Sequence, residues 1–207
     1  YSSVRDDGKF PNGQSKMVNR DLSDIVQSEI IHDIQKQFNP SWTRRAMWDK
    51  EYSEAWRPNV PSTLLELLSH QNLTDMRFGH DPRFKFAVSR AIYKGIVRFL
   101  AFQSQTEYII QPLPVDHFSI SRIGSKKIKL DWRPVLDSLE PSASPTKYKV
   151  YQRIGNGGFD NGRVAHGNSL EIDLPEFGEI YSFKVTAIND GGESFASEIL
   201  SVGLIDH

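Results

Sequence analysis

The chain has no cysteine, so it has neither a disulfide framework nor a thiolate metal site, and any metal must be held by histidine, aspartate or glutamate. No apolar run approaches the roughly 18 residues of a membrane-spanning helix, and no signal-peptide pattern is present. An excess of charge is missing as well: the formal net charge is -1. Residues 1–112 carry 15 of the 25 Lys+Arg and 13 of the 26 Asp+Glu, leaving 10 and 13 for residues 113–207. Neither half has the basic surplus of a nucleic-acid binder, so nucleic acid is not an expected partner. What is present is ordinary for a globular protein: 207 residues, 38% hydrophobic and 25% charged, enough for two modest domains. The first residue is Tyr1 instead of Met, so the expectation is a segment of a longer precursor.

Residues 1–18 are polar, with turn signals at Asp7-Gly8 and Pro11-Asn12-Gly13. From Asn19, taken as an N-cap, Leu22, Ile25, Val26, Ile30 and Ile34 recur at helical spacing until Asn39-Pro40 stops the run. His32 lies opposite that stripe and reads as a surface residue. Between Trp42 and Pro58, Trp42, Trp48, Tyr52 and Trp56 are interleaved with arginines and lysines. That mixture suits either a sugar-stacking surface or, more commonly, a long connection packed onto its domain.

The stretch Pro61 to Asp75 reads as a short strand buried on both faces, with a carboxylate, Glu66, in its middle. A buried carboxylate requires a partner or a function, and Arg45 and Arg90 are the candidate partners. Asp81-Pro82 then opens a second helix, in which Phe84, Ala87, Val88, Ala91, Ile92, Gly95, Ile96, Phe99 and Leu100 form one face. Gly95 costs roughly 1 kcal/mol relative to Ala in mid-helix, which makes sense where a neighbouring element approaches closely. A strand between two amphipathic helices points to an α/β domain that is only partly represented.

Pro61, Leu64, Glu66, Asn72 and Asp75, followed by Ser89-Arg-Ala-Ile-Tyr-Lys-Gly-Ile96, resemble the C-terminal part of the zinc-dependent N-acetylmuramoyl-L-alanine amidases of the amidase-3 type. The likeness covers roughly residues 15–102. It implies cleavage of the amide between N-acetylmuramic acid and the L-alanine of the peptide stem in peptidoglycan, with zinc as cofactor. It gives Glu66 the proton-transferring role, with His70 and Asn72 lining the substrate site. Leu68 and Ser69 depart from the family pattern. Its Gly-His-Gly-Gly motif and zinc ligands, two histidines and a glutamate, belong to an earlier part of the domain. No metal ligand is therefore assigned within these residues, and the N-terminal part of the same precursor becomes the expected partner.

After a linker at 103–112, periodicity changes to two. Phe118 and Ile120, Ile128 to Trp132, Tyr148 and Val150, Leu170 to Leu174, and Tyr181 to Ala187 alternate with polar residues, giving about seven antiparallel strands in 113–207. With Trp132 as the core tryptophan and Tyr181 as the tyrosine-corner residue, this half resembles a fibronectin type III domain. Gly155 to Gly162 follows a strand without a helix after it, so it reads as a hairpin loop and not a phosphate loop. No Arg-Gly-Asp occurs, and Asn72-Leu-Thr74 is a glycosylation sequon only in form.

The fold expectation is thus a partial amidase-like α/β unit at 1–102 and an all-β sandwich at 113–207. The functional expectation is part of a secreted, periplasmic or cell-surface wall hydrolase. The alternatives are a non-catalytic extracellular glycan-binding or scaffold protein, or a polysaccharide-processing protein of the kind labelled xanthan lyase.

Overall fold

The computed structural model describes residues 1–175 and 178–203, and the chain divides into two compact units, Tyr1–Tyr108 and Ile109–His207. In the first, four helices form: α1 (Val18–Gln37), α2 (Ser53–Trp56), α3 (Leu73–His80) and α4 (Pro82–Ser104). Apolar residues at helical spacing put Leu22, Val26, Ile30 and Ile34 of α1 against Phe84, Val88, Ala91 and Phe99 of α4. The two helices approach most closely at Gly95, where an added Cβ would stand 2.8 Å from Val26 Cα. The close approach expected from a mid-helix glycine is therefore present, and it concerns backbone. Asp81 starts α4 as its N-cap by accepting a hydrogen bond from Arg83 N at 2.9 Å, followed by Pro82.

Three expectations for this unit need correction. Asn19 is not the N-cap of α1, which starts one residue earlier after Met17. It is buried, donating from Nδ2 to Ser2 O at 2.7 Å and accepting from Ser62 N at 2.9 Å, so its amide ties two loops to the helix. Secondly, residues 61–69 form no strand, and the described residues of this unit contain only one isolated bridge, Lys9 with Ser15. The unit is helical, and the expected sheet is not formed by these residues. A strand is stabilised by the ladder it makes, and this run of leucines has no strand beside it to pair with. It places Leu65 and Leu68 on the helical core, while Leu64, Glu66 and Leu67 are exposed. Thirdly, the Asn72 to Asp75 turn opens a helix, α3, that the periodicity did not suggest.

The segment expected to link the domains, 103–112, contains the last two residues of α4 and Ile110, which is fully buried in the second unit.

The described residues of the second unit form eight strands: β1 (Asp116–Arg122), β2 (Lys127–Arg133), β3 (Lys147–Ile154), β4 (Arg163–Ala165), β5 (Ser169–Asp173), β6 (Ile180–Asn189), β7 (Gly192–Glu193) and β8 (Leu200–Gly203). Antiparallel pairing gives one sheet ordered β1-β2-β5 and another ordered β4-β3-β6, in which β7 and β8 both pair with β6. Register places Ile128 opposite Ile172 and Val150 opposite Val185, so each sheet directs one apolar face into a shared core. Trp132 meets Tyr148 edge-on at 5.4 Å between ring centres, and Tyr181 is fully buried. Gly155 to Gly162 is the connection of the β3-β4 hairpin.

A polar latch closes one end of the sandwich. Asn189 donates to Ile110 O at 2.9 Å and Ser142 O at 3.0 Å, and accepts from Gly191 N at 2.9 Å. Gly191 can be nothing larger, because a Cβ there would lie 2.3 Å from Ile109 O.

Candidate functional site

The helical unit carries an open cleft of about 840 Å³. Its floor is α1, with Gln27, Ile30 and Ile31. It is also lined from the loop 41–48 and from residues 63–67 and 69, with Asn72 and Asp75 of the α3 entrance beyond them.

Side chains of α1 fix both segments. Gln35 Nε2 donates to Trp42 O at 2.7 Å and Gln27 Nε2 to Arg45 O at 2.9 Å, which holds the first segment along the helix. The Arg44 guanidinium binds Gln27 Oε1 and Ser28 Oγ, both at 2.9 Å, and pairs with Asp24. On the second segment, Thr63 and Ser23 share a hydroxyl hydrogen bond of 2.8 Å. The aromatics of the first segment and its continuation divide by function. Trp42 joins Phe38, Phe78 and Phe84 in a ring cluster with centroid distances of 5.2 to 6.5 Å. Trp48 is 63% exposed and Tyr52 45%, and both face the cleft.

Glu66 and Asn72, two of the residues singled out from the sequence, line this cleft, whereas His70 is exposed and does not. Glu66 is exposed, and among the described residues it forms no ion pair, with Arg45, Arg90 or any other group. The expected buried charge is therefore an open one: the strand that was to bury it is absent. Asn72 has a structural task, since its Oδ1 accepts from Thr74 N at 2.9 Å and so caps α3. Asp75 accepts from Ser69 N at 2.8 Å, closing the loop between cleft and helix.

Among the described residues no group of three or more metal-binding side chains is assembled. Of the carboxylates on the cleft, Asp75 is committed to the loop backbone, and His70 and His80 stand away from the lining. The donor set of a zinc centre is not brought together by these residues, and no chemistry through zinc is derived from them.

The sequence reading missed a charge cluster between α1 and α4. Lys94 Nζ is 2.7 Å from Asp33 Oδ2 and 3.9 Å from Glu29 Oε2, and Arg98 pairs with Glu29 Oε1. Glu29 and Asp33 are four residues apart on α1, as are Lys94 and Arg98 on α4. Two carboxylates one turn apart beside an apolar stripe, answered by two cations one turn apart inside another, were the available signal.

In the sandwich, Tyr151 Oη donates to Glu193 Oε1 at 2.5 Å and Thr186 Oγ1 donates to the same oxygen at 2.7 Å. Burial, then the bond to the Glu193 carboxylate, pushes the Tyr151 phenol up to about 12. Burial acts to raise Glu193, but the hydrogen bonds from Thr186 and Tyr151 outweigh it and hold the carboxyl below its usual range.

Residues 123–197 match the family model described as a PBP1-like, fibronectin3-like domain. No curated protein matches the chain. Solved structures with detectable likeness include the fourth FNIII domain of a human protein, 28% identical over 46% of this chain and 80% of its own, with a TM-score of 0.41. The twitchin kinase region from C. elegans is 22% identical over 46% of this chain, with a TM-score of 0.41, and only 17% of its own length is spanned. The FN5 domain of Drosophila Lar is 16% identical over 46% of this chain and 99% of its own, at a TM-score of 0.36. The C-terminal part of this chain is a fibronectin type III-like sandwich, and it follows an N-terminal helical region.

Proposed function

We propose that this chain is part of a secreted cell-wall hydrolase that cleaves the N-acetylmuramoyl-L-alanine amide of peptidoglycan, with the fibronectin type III-like module placing the enzyme on its substrate. The observation that carries the reading is the position of Glu66 on the wall of an open cleft beside the Asn72 loop. A carboxylate there can accept a proton from an attacking water and return it to the leaving amine, provided a substrate amide lies within hydrogen-bond reach. The zinc that the amidase resemblance implies belongs, in this reading, to ligands outside these residues, and so does the electrophilic part of the chemistry. Muropeptide release by the precursor and by its Glu66→Ala variant tests the assignment. A loss of at least about a hundredfold is expected for a general acid-base residue, and equal activity overturns the role of Glu66.

A second reading, non-catalytic glycan binding at the cell surface, is favoured by Trp48 and Tyr52, exposed aromatics at the cleft among amide and carboxylate side chains. Pull-down of the 207-residue chain on peptidoglycan and on soluble polysaccharides, with Trp48→Ala as control, separates the two. Tight binding lost in Trp48→Ala, together with an inactive precursor, would favour the binding module.

A further inference from the structure

The outward face of β3 and β6 carries a row of cations that no carboxylate answers. On β3, Lys149, Tyr151 and Arg153 lie on the face opposite the buried Tyr148 and Val150, and register sets them across from Thr186, Lys184 and Ser182 of β6. Their side chains stack in sequence. Lys149 Nζ is 5.2 Å from the centre of the Tyr151 ring, Lys184 Nζ is 5.2 Å from the same ring and 4.4 Å from that of Phe159, and the Arg153 guanidinium is 4.9 Å from Phe159. Among the described residues none of the three cations forms an ion pair. The other sheet is built differently: Lys127 is 2.5 Å from Glu171, and Lys129 is 2.7 Å from Asp131.

We propose that this face docks an extended acidic segment of a partner protein, whose carboxylates, on alternate residues, meet Lys149, Lys184 and Arg153 in turn. The proposal stands apart from the hydrolase reading and does not depend on it.

Charge is the first argument. Lys149, Lys184 and Arg153 occupy successive diagonal positions across two strands, about 7–8 Å apart, where like charges repel and the rings between them relieve only part of the repulsion. Two carboxylates stand beside the stack, and both are committed elsewhere. Glu193 Oε1 accepts from Tyr151 and Thr186, and Asp160 Oδ1 accepts from Gln152 N at 3.0 Å and Gly162 N at 2.9 Å. With Lys147 on the same face of β3, the cations still exceed them. Arg153 is the least satisfied: its hydrogen bond to Ser182 Oγ is 3.4 Å long, and its buried Nε has no acceptor.

Spacing and stacking select the ligand. Alternate side chains of an extended peptide recur about every 6.6–6.8 Å, close to the diagonal step between the cations. Each ring already has two cations beside it, so a pyranose or a nucleobase finds no ring of its own to stack on. The loop from Gly155 to Gly162 also holds the row in place before any ligand arrives. Phe159 of this loop is part of the stack, and at Gly162 an added Cβ would stand 2.9 Å from Lys149 Cγ and 3.0 Å from Tyr151 Cδ1. Cations fixed in this way avoid much of the ordering cost that makes most surface ion pairs weak.

Fluorescence anisotropy of a short labelled peptide of alternating Glu and Thr, titrated with the 207-residue chain, tests this. Saturable binding that weakens as salt is raised is expected. Lys184→Gln should weaken it about threefold, and Lys149→Gln, Arg153→Gln and Lys184→Gln together at least about tenfold. Lys184→Arg should preserve binding, and so should Lys127→Gln on the other sheet. Absence of saturable binding, or a folded triple variant that binds like the parent, overturns the proposal. Equal affinity for a peptide with its Glu and Thr in separate blocks overturns the alternate spacing. Tighter binding of polygalacturonate or of a single-stranded oligonucleotide, lost in the triple variant, assigns the face to another polyanion and overturns the peptide. Amide resonances of the parent chain locate the site without any variant: the peptide should shift 149–153 and 182–186, and shifts confined elsewhere overturn the assignment.

Discussion

Lys94 Nζ and Asp33 Oδ2 are 2.7 Å apart in the α1-α4 interface, with side chains 1% and 3% exposed. The pair is in the apolar seam, where a lone charge has no water to turn to. Lys94→Met or Asp33→Leu alone is therefore expected to cost about 3–5 kcal/mol, because each takes away a buried charge's nearest counter-ion and leaves only a longer contact, His32 Nδ1 at 3.2 Å from Asp33 or Glu29 Oε2 at 3.9 Å from Lys94. The double variant should recover most of that loss, since two apolar side chains of similar size suit the seam. Urea unfolding of the three variants measures it, and additive losses in the double variant would refute the pairing.

Gly95→Ala sets two effects against each other. Alanine is worth about 1 kcal/mol as a helix former, whereas overpacking costs about 1–3 kcal/mol. The atom in the way is Val26 Cα, a backbone atom that cannot rotate aside, so overpacking should win and the variant should melt lower. A higher melting temperature would mean that the helices separate at little cost.

The two tryptophans of the loop 41–48 should behave differently. Trp42→Ala removes a ring from the Phe38-Phe78-Phe84 cluster and is expected to cost about 3–5 kcal/mol. Trp48→Ala, at an exposed position, should change stability by no more than about 0.5 kcal/mol. Similar losses in denaturant would show that Trp48 is structural and would weaken the glycan-binding reading.

Tyr151 and Glu193 give the sandwich a pH signature. The phenol is raised from 10.0 to about 12, so its contribution is fully present below pH 10 and is lost as pH rises through 12. Glu193 is lowered from 4.5, so its contribution is present above pH 4.5 and is lost as pH falls below that value. Stability from this pair should therefore be flat across the neutral range and decline at both ends. Ultraviolet titration should find one tyrosine ionising near 12 that moves back toward 10 in Glu193→Gln, and no movement would detach the two groups.

The sandwich was legible because its signals are local. Alternation from Lys127 to Trp132 and from Tyr181 to Ala187 marks the apolar face of each strand, and the apolar residues on it form the core. The long helices were legible for the same reason, at a different period. The segment 61–69 misled because a leucine run states only that something apolar lies nearby. Whether it is a strand depends on a ladder partner, which is not a local property, and Leu65 and Leu68 found helices instead. Asn72 was singled out for a site and proved to cap α3, since an Asn-x-x-Asp turn serves both purposes with the same atoms. Lys94 was passed over because a single lysine among Ala91, Gly95 and Phe99 looks like an exposed interruption until its counter-ion on α1 is seen.

The Asn189 latch has a practical outcome for anyone who transplants the sandwich into another protein. The first strand begins at Asp116, and cutting there looks safe. Such a graft discards Ile110, whose carbonyl Asn189 holds and whose side chain is wholly enclosed, and opens that end of the two packed sheets to water. The transplantable piece begins at Ile109, seven residues before any β-structure.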